Sequence, residues 1–287
     1  MLRMAVATDA ETTERMREPL RERGIEVEYV QPSDRTFSLR AGSPAQVDVG
    51  FVFPSRVMEG GVVDALLDVP WVNDRETVLR SRNKAEVYAR LDGTKVPVPE
   101  TTLISNPVEE RELIDAFEGI HGQVVVKPNS TTRGTGVAKA QDVDSFLGIC
   151  DYLDLIHDYS ATGDKSFLVQ EFIPDARDYR AMVVDGRFTG AVERRLPEDA
   201  VAAGQWKHNV HRGARATGVD LPADLRELAE DVAAALEMDW VGVDLLVSGD
   251  RAVVTETNAR PTIDAATKYE PGFYRELAAL IRATAGE

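Results

Sequence analysis

Three side chains with oxygen donors fall on the two strands of a predicted hairpin late in the 287-residue chain. Asp244 lies in the apolar segment 242–246, and Glu256 and Asn258 lie in the segment 254–258. Because side chains on a strand alternate between its faces, the Glu-x-Asn spacing puts both side chains on one face. Carboxylate and amide oxygens are ligands that Mg²⁺ accepts. These residues indicate a magnesium site, although a solvent-facing acidic surface explains them equally well.

The turn of this hairpin decides whether Asp244 joins the other two ligands. A two-residue turn at 249–250 pairs Asp244 with Thr255 and faces it away from the other ligands. A three-residue loop at 248–250 pairs Asp244 with Val254 and gathers all three ligands on one face. We predict the three-residue loop.

A lysine and a glycine-rich loop follow a short apolar strand in the middle of the chain. Lys127 ends the predicted strand, and residues 129–137 read Asn-Ser-Thr-Thr-Arg-Gly-Thr-Gly-Val. A lysine that leaves a buried strand carries a desolvation cost that an anionic ligand offsets. The loop supplies backbone N–H groups and hydroxyls that suit phosphate oxygens, but it matches neither the Walker pattern nor the dinucleotide fingerprint. A phosphate-binding loop and an ordinary hairpin loop both remain open.

An earlier hairpin is predicted around the Asp-Gly pair at 185–186, which is the strongest short hairpin signal. A two-residue turn pairs Asp178 with Glu193. It places four charged side chains on one face, namely Asp178, Arg180, Glu193 and Arg195. Arg180 can bind a carboxylate or a phosphate through two parallel hydrogen bonds. A half-exposed sheet without a ligand is equally consistent with this pattern.

Secondary-structure elements must position these residues. In the first 75 residues, predicted strands alternate with predicted helices, and this alternation predicts a small parallel sheet. The remainder predicts a mixture of helices, strands and the two hairpins. The predicted strands are 4–8, 26–30, 47–53, 70–73, 124–127, 167–172, 178–184, 187–195, 240–247 and 252–257. The predicted helices are 11–23, 61–67, 77–91, 109–117, 145–156, 223–237 and 274–285, with a polar loop at 197–219.

The charge of the chain disfavours several classes of partner. The sequence holds 49 Asp and Glu against 33 Lys and Arg, a formal net charge of −16. Such a field repels polyanions. We therefore expect neither nucleic acid nor an anionic membrane as a partner.

The single cysteine and the histidines indicate no special chemistry. Cys150 is the only cysteine, so the chain cannot form an internal disulfide, which fits a reducing compartment. Its position on the apolar face of helix 145–156 predicts a buried side chain. His208 and His211 fit no zinc-ligand spacing. No apolar run reaches the ~18 residues of a membrane span, and no signal-peptide pattern is present, so a cytoplasmic location is expected.

A set of polar residues follows in a fixed order along the chain. Its members are Lys84, Lys127-Pro128 with the Gly-Thr-Gly loop, Gln170-Glu171-Phe172-Ile173, Asp178-x-Arg180, Asn209, Asp244 and Glu256-x-Asn258. This ordered set resembles the ATP-grasp superfamily, and most closely its ribosomal-protein-S6-modification-like (RimK-like) branch of amino-acid ligases. The likeness runs from about Asn73 to the C-terminus. The segment 207–213 resembles the branch's Arg-Ser-Asn-Leu-His-Arg-Gly stretch, with Lys207 in place of the arginine.

The resemblance implies an ATP-grasp fold of α/β and α+β character, preceded by an N-terminal Rossmann-like (pre-ATP-grasp) subdomain. The implied boundaries are 1–75 for that subdomain and 76–287 for the ATP-grasp domain. Within the latter, 76–172 is the expected central nucleotide-binding subdomain and 173–287 the C-terminal subdomain with the metal site.

The resemblance also implies a role for each matched residue. ATP is expected to contact Lys84, Lys127, Arg133, Gly134, Gly136, Gln170, Glu171, Phe172, Ile173, Asp178, Lys207 and Asn209, with 133–136 closing as a lid. Mg²⁺, or Mn²⁺ in its place, is expected at Asp244, Glu256 and Asn258. The reacting groups are expected to face Arg180, Arg194 and Asn209, with Arg260 near the acceptor. The family alignment favours Arg194 where an ideal hairpin favours Arg195, and a bulge near Glu193 reconciles the two.

The function implied by the resemblance is an ATP-dependent carboxylate–amine ligase that forms an amide through an acylphosphate. It adds an amino acid such as glutamate to a peptide, protein or cofactor acceptor. A small-molecule dipeptide-type ligase and a non-catalytic nucleotide-binding regulatory protein are the alternatives. The sequence leaves both substrates and a homo-oligomeric state open.

The acid excess predicts a halophilic protein whose stability depends on salt. Three metal ligands account for little of the charge, and the remainder is spread along exposed helices. Because the Debye length is ~3 Å at 1 M salt, high KCl relieves this self-repulsion. We expect the thermal unfolding midpoint to rise between 0.1 M and 2 M KCl in calorimetry. An unchanged midpoint would contradict salt adaptation.

Overall fold

The structure, a computed structural model, builds the chain from three β-sheets that follow one another in sequence. It describes the residues 1–8, 10–33, 36, 39, 46–132, 134–157, 164–263 and 269–287. Among these residues no helix is both long enough and apolar enough to cross a lipid bilayer.

The first sheet is parallel throughout and has the strand order β2-β1-β3-β4. This confirms the parallel sheet predicted from the alternation of strands and helices. Its strands are β1 (Leu2–Val6), β2 (Ile25–Tyr29), β3 (Val49–Phe51) and β4 (Trp71–Val72). The helices of this region are α1 (Ala10–Arg21) and α2 (Val57–Leu67).

The second sheet is antiparallel, with the order β5-β8-β6-β7. Its strands are β5 (Thr101–Ser105), β6 (Val124–Pro128), β7 (Ala138–Ala140) and β8 (Ser166–Glu171), and its helices are α5 (Glu110–Glu118) and α6 (Val143–His157). Cys150 is free and lies in the core between α6 and this sheet, as predicted. Burial raises the pKa of its thiol to about 12, which leaves it unreactive at neutral pH.

The third sheet is antiparallel, with the order β11-β10-β9-β12-β13. Its strands are β9 (Arg177–Val184), β10 (Arg187–Arg195), β11 (Arg215–Val219), β12 (Trp240–Ser248) and β13 (Arg251–Asn258), and α8 (Ala223–Ala235) covers one face. The polar loop predicted at 197–219 is wrong in part. It contains the short helix α7 (Glu198–Ala202), a 3₁₀ turn at Val210–Arg212 and the mostly exposed strand β11.

The two faces of the third sheet meet different partners. Tyr179 and Val241 point toward α8, whereas Met182 and Trp240 pack into the core of the first sheet. The last helix, α9 (Phe273–Thr284), returns to that same core. The face that carries Met182 therefore lies against the N-terminal region of the chain.

The single helix predicted over 77–91 is two helices, α3 (Arg75–Arg82) and α4 (Lys84–Leu91). Asn83 separates them in an extended conformation, and its side chain accepts a hydrogen bond from the backbone N–H of Glu86 at 3.2 Å. The asparagine is thus the N-cap of α4. It places Lys84 at the first position of that helix.

The hairpin β9–β10 has the predicted two-residue turn but a different register. An extra residue, Thr189, bulges out between Phe188 and Gly190, and the bulge shifts every later pair by one. Arg194 therefore lies opposite Asp178, and the predicted pairing of Asp178 with Glu193 is wrong. The predicted bulge near Glu193 is also wrong, because the irregularity lies at the turn end.

The hairpin β12–β13 corrects the predicted loop in a similar way. Ser248 pairs with Arg251, so the turn has two residues rather than three. A bulge between Asp244 and Leu245 then makes Thr255 the extra residue and places Asp244 directly opposite Glu256. The predicted pairing with Val254 is wrong, but the two carboxylates still share one face.

Asn73 joins the end of the first sheet to the third sheet. Its side-chain amide donates hydrogen bonds to the backbone carbonyls of Trp240 and Ala259, the latter at 2.7 Å. The side chain is buried, and its backbone adopts a left-handed φ of 54°. One of these carbonyls belongs to the first residue of β12 and the other to the residue directly after β13, so both segments depend on this one amide.

We expect Asn73→Ala to lower the free energy of unfolding by about 2–6 kcal/mol, because it orphans two buried acceptors and each costs about 1–3 kcal/mol. Urea denaturation followed by circular dichroism measures this change. Asp68→Ala is the matched control, since Asp68 has a similar φ of 50° at an exposed position. Equal losses in the two variants would show that backbone strain, not the amide, is responsible.

Candidate functional site

A cavity of about 620 Å³ opens on the face of the third sheet that carries Met182. The predicted site residues on its wall are Lys84, Gly134, Arg180, Arg194, Asn209, Asp244, Glu256, Asn258 and Arg260. Residues of the N-terminal region, including Thr8 and Ser55, line it as well. The folded chain thus brings together residues that are more than 200 positions apart in the sequence.

A buried cluster of charges forms one part of the wall. Arg180 donates two hydrogen bonds to the carboxylate of Asp244, from Nε to Oδ1 at 2.6 Å and from Nη2 to Oδ2 at 2.8 Å. Arg194 contacts the same carboxylate at 3.1 Å and donates from Nε to Asp178 at 2.7 Å. The structure therefore places Arg194 in the cluster, whereas Arg195 pairs with Glu193 on the other face.

The charges in this cluster stabilise one another. Burial alone raises the pKa of Asp244, but Arg180 and Arg194 outweigh it and hold the pKa below its ordinary value. Burial likewise opposes the charge of Arg194, and Asp244 and Asp178 nevertheless raise its pKa. Asp244 and Arg194 are thus ionised at neutral pH, whereas burial outweighs the effect of Arg194 on Asp178 and raises the pKa of that carboxyl group to about 7.

The oxygen donors predicted to bind a metal lie next to one another. Glu256 is directly opposite Asp244, and its Oε1 lies 3.4 Å from Nζ of Lys84. Asn258 is two residues further along β13 and accepts a hydrogen bond from the backbone N–H of Arg260 at 2.9 Å. Within the described ranges no set of three His, Cys, Asp or Glu side chains forms a metal site alone. The third donor is the amide of Asn258, and this oxygen-only set fits a hard cation such as Mg²⁺.

A second buried polar cluster lies behind the cavity wall. Nζ of Lys127 donates to Oε1 of Gln170 at 2.8 Å and to the hydroxyl of Tyr88 at 3.0 Å. Burial lowers the pKa of Lys127 to about 8 and raises that of Tyr88. Sequence reasoning missed Tyr88. Its position four residues after Lys84, on the same face of α4, was the available signal.

The residues of the segment 170–173, which the resemblance implies contact ATP, have partners within the protein. The carboxylate of Glu171 pairs with Arg251, with Nη1 of Arg251 2.8 Å from Oε2, and accepts a hydrogen bond from the N–H of Glu100 at 2.8 Å. Arg251 also lowers the pKa of Glu171. Phe172 makes an edge-to-face contact with Trp206 at 5.7 Å between ring centroids, and Ile173 is buried.

The glycine-rich loop packs on the segment that contains Asn209. Gly134 has a φ of 65°, and a Cβ atom there would lie 2.6 Å from Oδ1 of Asn209. Gly136 has a φ of 76° and leaves no room beside Pro128. Lys207 donates a hydrogen bond to the carbonyl of Val137. Arg133, also predicted to contact ATP, lies outside the described residues.

Arg260 connects the cavity to the first sheet rather than projecting freely into it. Its Nη2 donates to the carbonyl of Ala7 at 2.7 Å, and its Nη1 donates to the carbonyl of Phe53. These carbonyls follow the ends of β1 and β3. The guanidinium therefore fixes the N-terminal wall of the cavity.

Comparisons with known proteins relate this chain to one family and to several relatives. Residues 81–272 match the family described as the RimK-like ATP-grasp domain. A probable alpha-L-glutamate ligase of Shewanella halifaxensis is 28% identical over 200 residues, which are 69% of this chain and 41% of that protein. The ribosomal protein bS6–L-glutamate ligase of Escherichia coli O139:H28 is 29% identical over 206 residues and 62% of its length. The chain thus spans about two fifths to three fifths of these curated relatives.

Solved structures share the fold. A RimK domain ATP-grasp protein from Sphaerobacter thermophilus superposes with a TM-score of 0.69 over 99% of this chain and 100% of its own, at 23% identity. A D-alanine–D-alanine ligase from Bacillus anthracis, solved with ATP, gives 0.68 over 99% and 97% at 15% identity. These likenesses confirm the predicted ATP-grasp fold.

The lowered pKa of Lys127 predicts a pH-dependent stability. The folded state releases this proton near pH 8, whereas the unfolded chain holds it to about pH 10.4, so the folded state gains stability as pH rises between these values. We expect the free energy of unfolding to rise by up to about 3 kcal/mol relative to Lys127→Met across this window. Lys95→Met, at an exposed position, is the control. Parallel curves for wild type and Lys127→Met would contradict the prediction.

Proposed function

The chain belongs to the RimK-like ATP-grasp family, and we propose that it is an ATP-dependent ligase that joins a carboxylate to an amine. The observation that carries this proposal is the cavity wall on which Arg180, Arg194 and Lys84 face the carboxylates of Asp244 and Glu256. Transfer of a phosphoryl group requires positive charge around the reacting phosphate. Cationic side chains beside oxygen donors for a hard metal ion supply that charge.

The first step activates a carboxylate, which by itself is a poor acyl donor because its leaving group is oxide. A carboxylate oxygen of one substrate attacks the γ-phosphorus of ATP, the bond to the bridging oxygen breaks, and ADP leaves. Lys84 and Lys127 are proposed to contact the phosphates, and Arg180 and Arg194 the transferred group. When bound at Asp244, Glu256 and Asn258, Mg²⁺ supplies positive charge that stabilises the phosphate oxygens.

The second step forms the amide. The amine of the other substrate attacks the acylphosphate carbon, loses a proton, and displaces inorganic phosphate. Exclusion of water matters here because water competes with the amine. The contact of Gly134 with Asn209 supports a role of the glycine-rich loop as a cover over the reacting groups.

The proposed substrates follow from the relatives, two of which are named as L-glutamate ligases. We propose glutamate as the amino acid and a peptide, protein or cofactor as the acceptor. A dipeptide-type ligase remains the second candidate, because a D-alanine–D-alanine ligase matches this chain over nearly its whole length. Mn²⁺ is a proposed substitute for Mg²⁺, and the cytoplasm, where ATP is available, is the proposed location.

The subdomain boundaries also stay proposals. The division at residue 75 agrees with the end of the first sheet, and the division at 172 agrees with the end of β8. The return of α9 to the core of the first sheet ties the N-terminal subdomain to the C-terminal one.

We expect ADP release that depends on an amino acid when wild-type protein is assayed with ATP, MgCl₂, a panel of amino acids and peptide acceptors at high KCl. The product mass identifies the bond. Asp244→Asn and Glu256→Gln should lower kcat/KM by at least about 100-fold, because each removes charge from the metal site. Glu227→Gln, on the exposed side of α8, is the control. Undiminished turnover in both site variants would contradict the metal assignment.

A further inference from the structure

We infer that Arg82 is a specificity-determining residue that binds a non-reacting carboxylate of the amino-acid substrate. The inference rests on the proposed ligase function and extends it to the chemistry of that substrate. Arg82 is the last residue of α3 and lines the cavity, two positions before Lys84. Neither the residue type of Arg82 nor its spacing from other residues in the sequence predicted a functional role.

Arg82 lies between the C-terminal end of β13, which carries Glu256 and Asn258, and the N-terminal region of the chain. Its neighbour Ser81 accepts a hydrogen bond from the N–H of Ala259 at 2.9 Å and lies 3.2 Å from the hydroxyl of Thr257. On the other side, Nη2 of Arg82 donates to the carbonyl of Ser55 at 2.9 Å. The contacts of Ser81 fix the end of α3 against β13, and the hydrogen bond to Ser55 holds the guanidinium of Arg82 at the cavity wall.

The other cations of the cavity wall are already engaged. Arg180 and Arg194 form ion pairs with Asp244, and Lys84 lies 3.4 Å from Glu256. Arg260 donates to backbone carbonyls. In the part of the chain that the structure describes, Arg82 pairs with no carboxylate, and its single hydrogen bond leaves the other donors of its five N–H groups available.

A half-buried guanidinium without a counter-ion indicates an anionic ligand. Burial lowers the pKa of Arg82, and no neighbouring carboxylate opposes that change. A carboxylate that accepts two parallel hydrogen bonds would offset the cost of desolvation and satisfy the planar fork of donors. The reacting carboxylate is proposed to meet Arg180 and Arg194, so Arg82 is assigned to one that keeps its charge throughout the reaction.

An amino acid with two carboxylates offers two such groups, on its α-carbon and on its side chain. The test compares glutamate with glutamine, which lacks the side-chain carboxylate, and with isoglutamine, which lacks the α-carboxylate. KM for each is measured by ADP release for wild type, Arg82→Ala and Arg82→Lys. Arg75→Ala, at the exposed start of the same helix, is the matched control.

We expect Arg82→Ala to raise KM for glutamate by about 10- to 100-fold, the range for hydrogen bonds to a charged group. The KM of Arg82→Lys for glutamate should lie between those of wild type and Arg82→Ala, because lysine keeps the positive charge but loses the planar fork of donors. For whichever analogue lacks the bound carboxylate, wild type and Arg82→Ala should have equal KM. The affinity for ATP and the unfolding midpoint should match those of Arg75→Ala.

Two outcomes would overturn the inference. Arg82→Ala with an unchanged KM for glutamate shows that the residue does not bind the substrate. An equal rise for glutamate and both analogues shows an indirect structural effect. Absence of any amino-acid-dependent ADP release in the wild type contradicts the proposed function itself, so the two failures are distinguishable.

Discussion

A row of charged side chains across the third sheet, held by the ion pairs of Asp244 with two arginines, is the constraint on which the candidate site depends. Arg180 on β9 lies opposite Asp244 on β12, which lies opposite Glu256 on β13. A buried carboxylate is tolerated only when charged partners satisfy it with good geometry, and loss of one partner costs ~3–5 kcal/mol. Arg180 and Arg194 both meet this requirement for Asp244. The pairing of the strands and the assembly of the cavity wall are therefore specified by the same contacts.

Two bulges of one residue each make this row possible. Without the bulge at Thr189, Glu193 would lie opposite Asp178, and like charges directly opposite each other destabilise a sheet. The bulge brings Arg194 to that position instead. The bulge at Thr255 instead brings like charges together, because it places the carboxylates of Asp244 and Glu256 directly opposite each other. Such a local conflict is common at sites that bind a ligand, and it is the physical reason to connect this bulge with function.

The sequence predicted those features that local patterns determine. Alternating strands and helices indicated the parallel first sheet, and the two turns indicated the hairpins. It missed β5, β7 and β11, because these strands are short or largely exposed and so lack an apolar pattern. The bulges, the break at Asn83 and the buried hydroxyl of Tyr88 depend on contacts with distant segments, which no local pattern records. The order of the polar residues nevertheless identified nine of the residues that line the cavity.

The excess of acidic residues is compatible with the proposed binding of ATP, because the surface charges and the charges in the cavity act over different distances. Surface charges are screened within about 8 Å at physiological salt, whereas the cations in the cavity are little screened. Burial lowers the pKa of Lys84, although Glu256 lies 3.4 Å from its Nζ, and it also lowers the pKa of Lys127. Each charge therefore carries a cost that a further anion beside it would offset. Affinity for phosphate then comes from relief of that cost at a few enclosed positions. A net charge of −16 is in this way compatible with the proposed entry of a small anion into the cavity, and we still expect the surface to repel a nucleic acid.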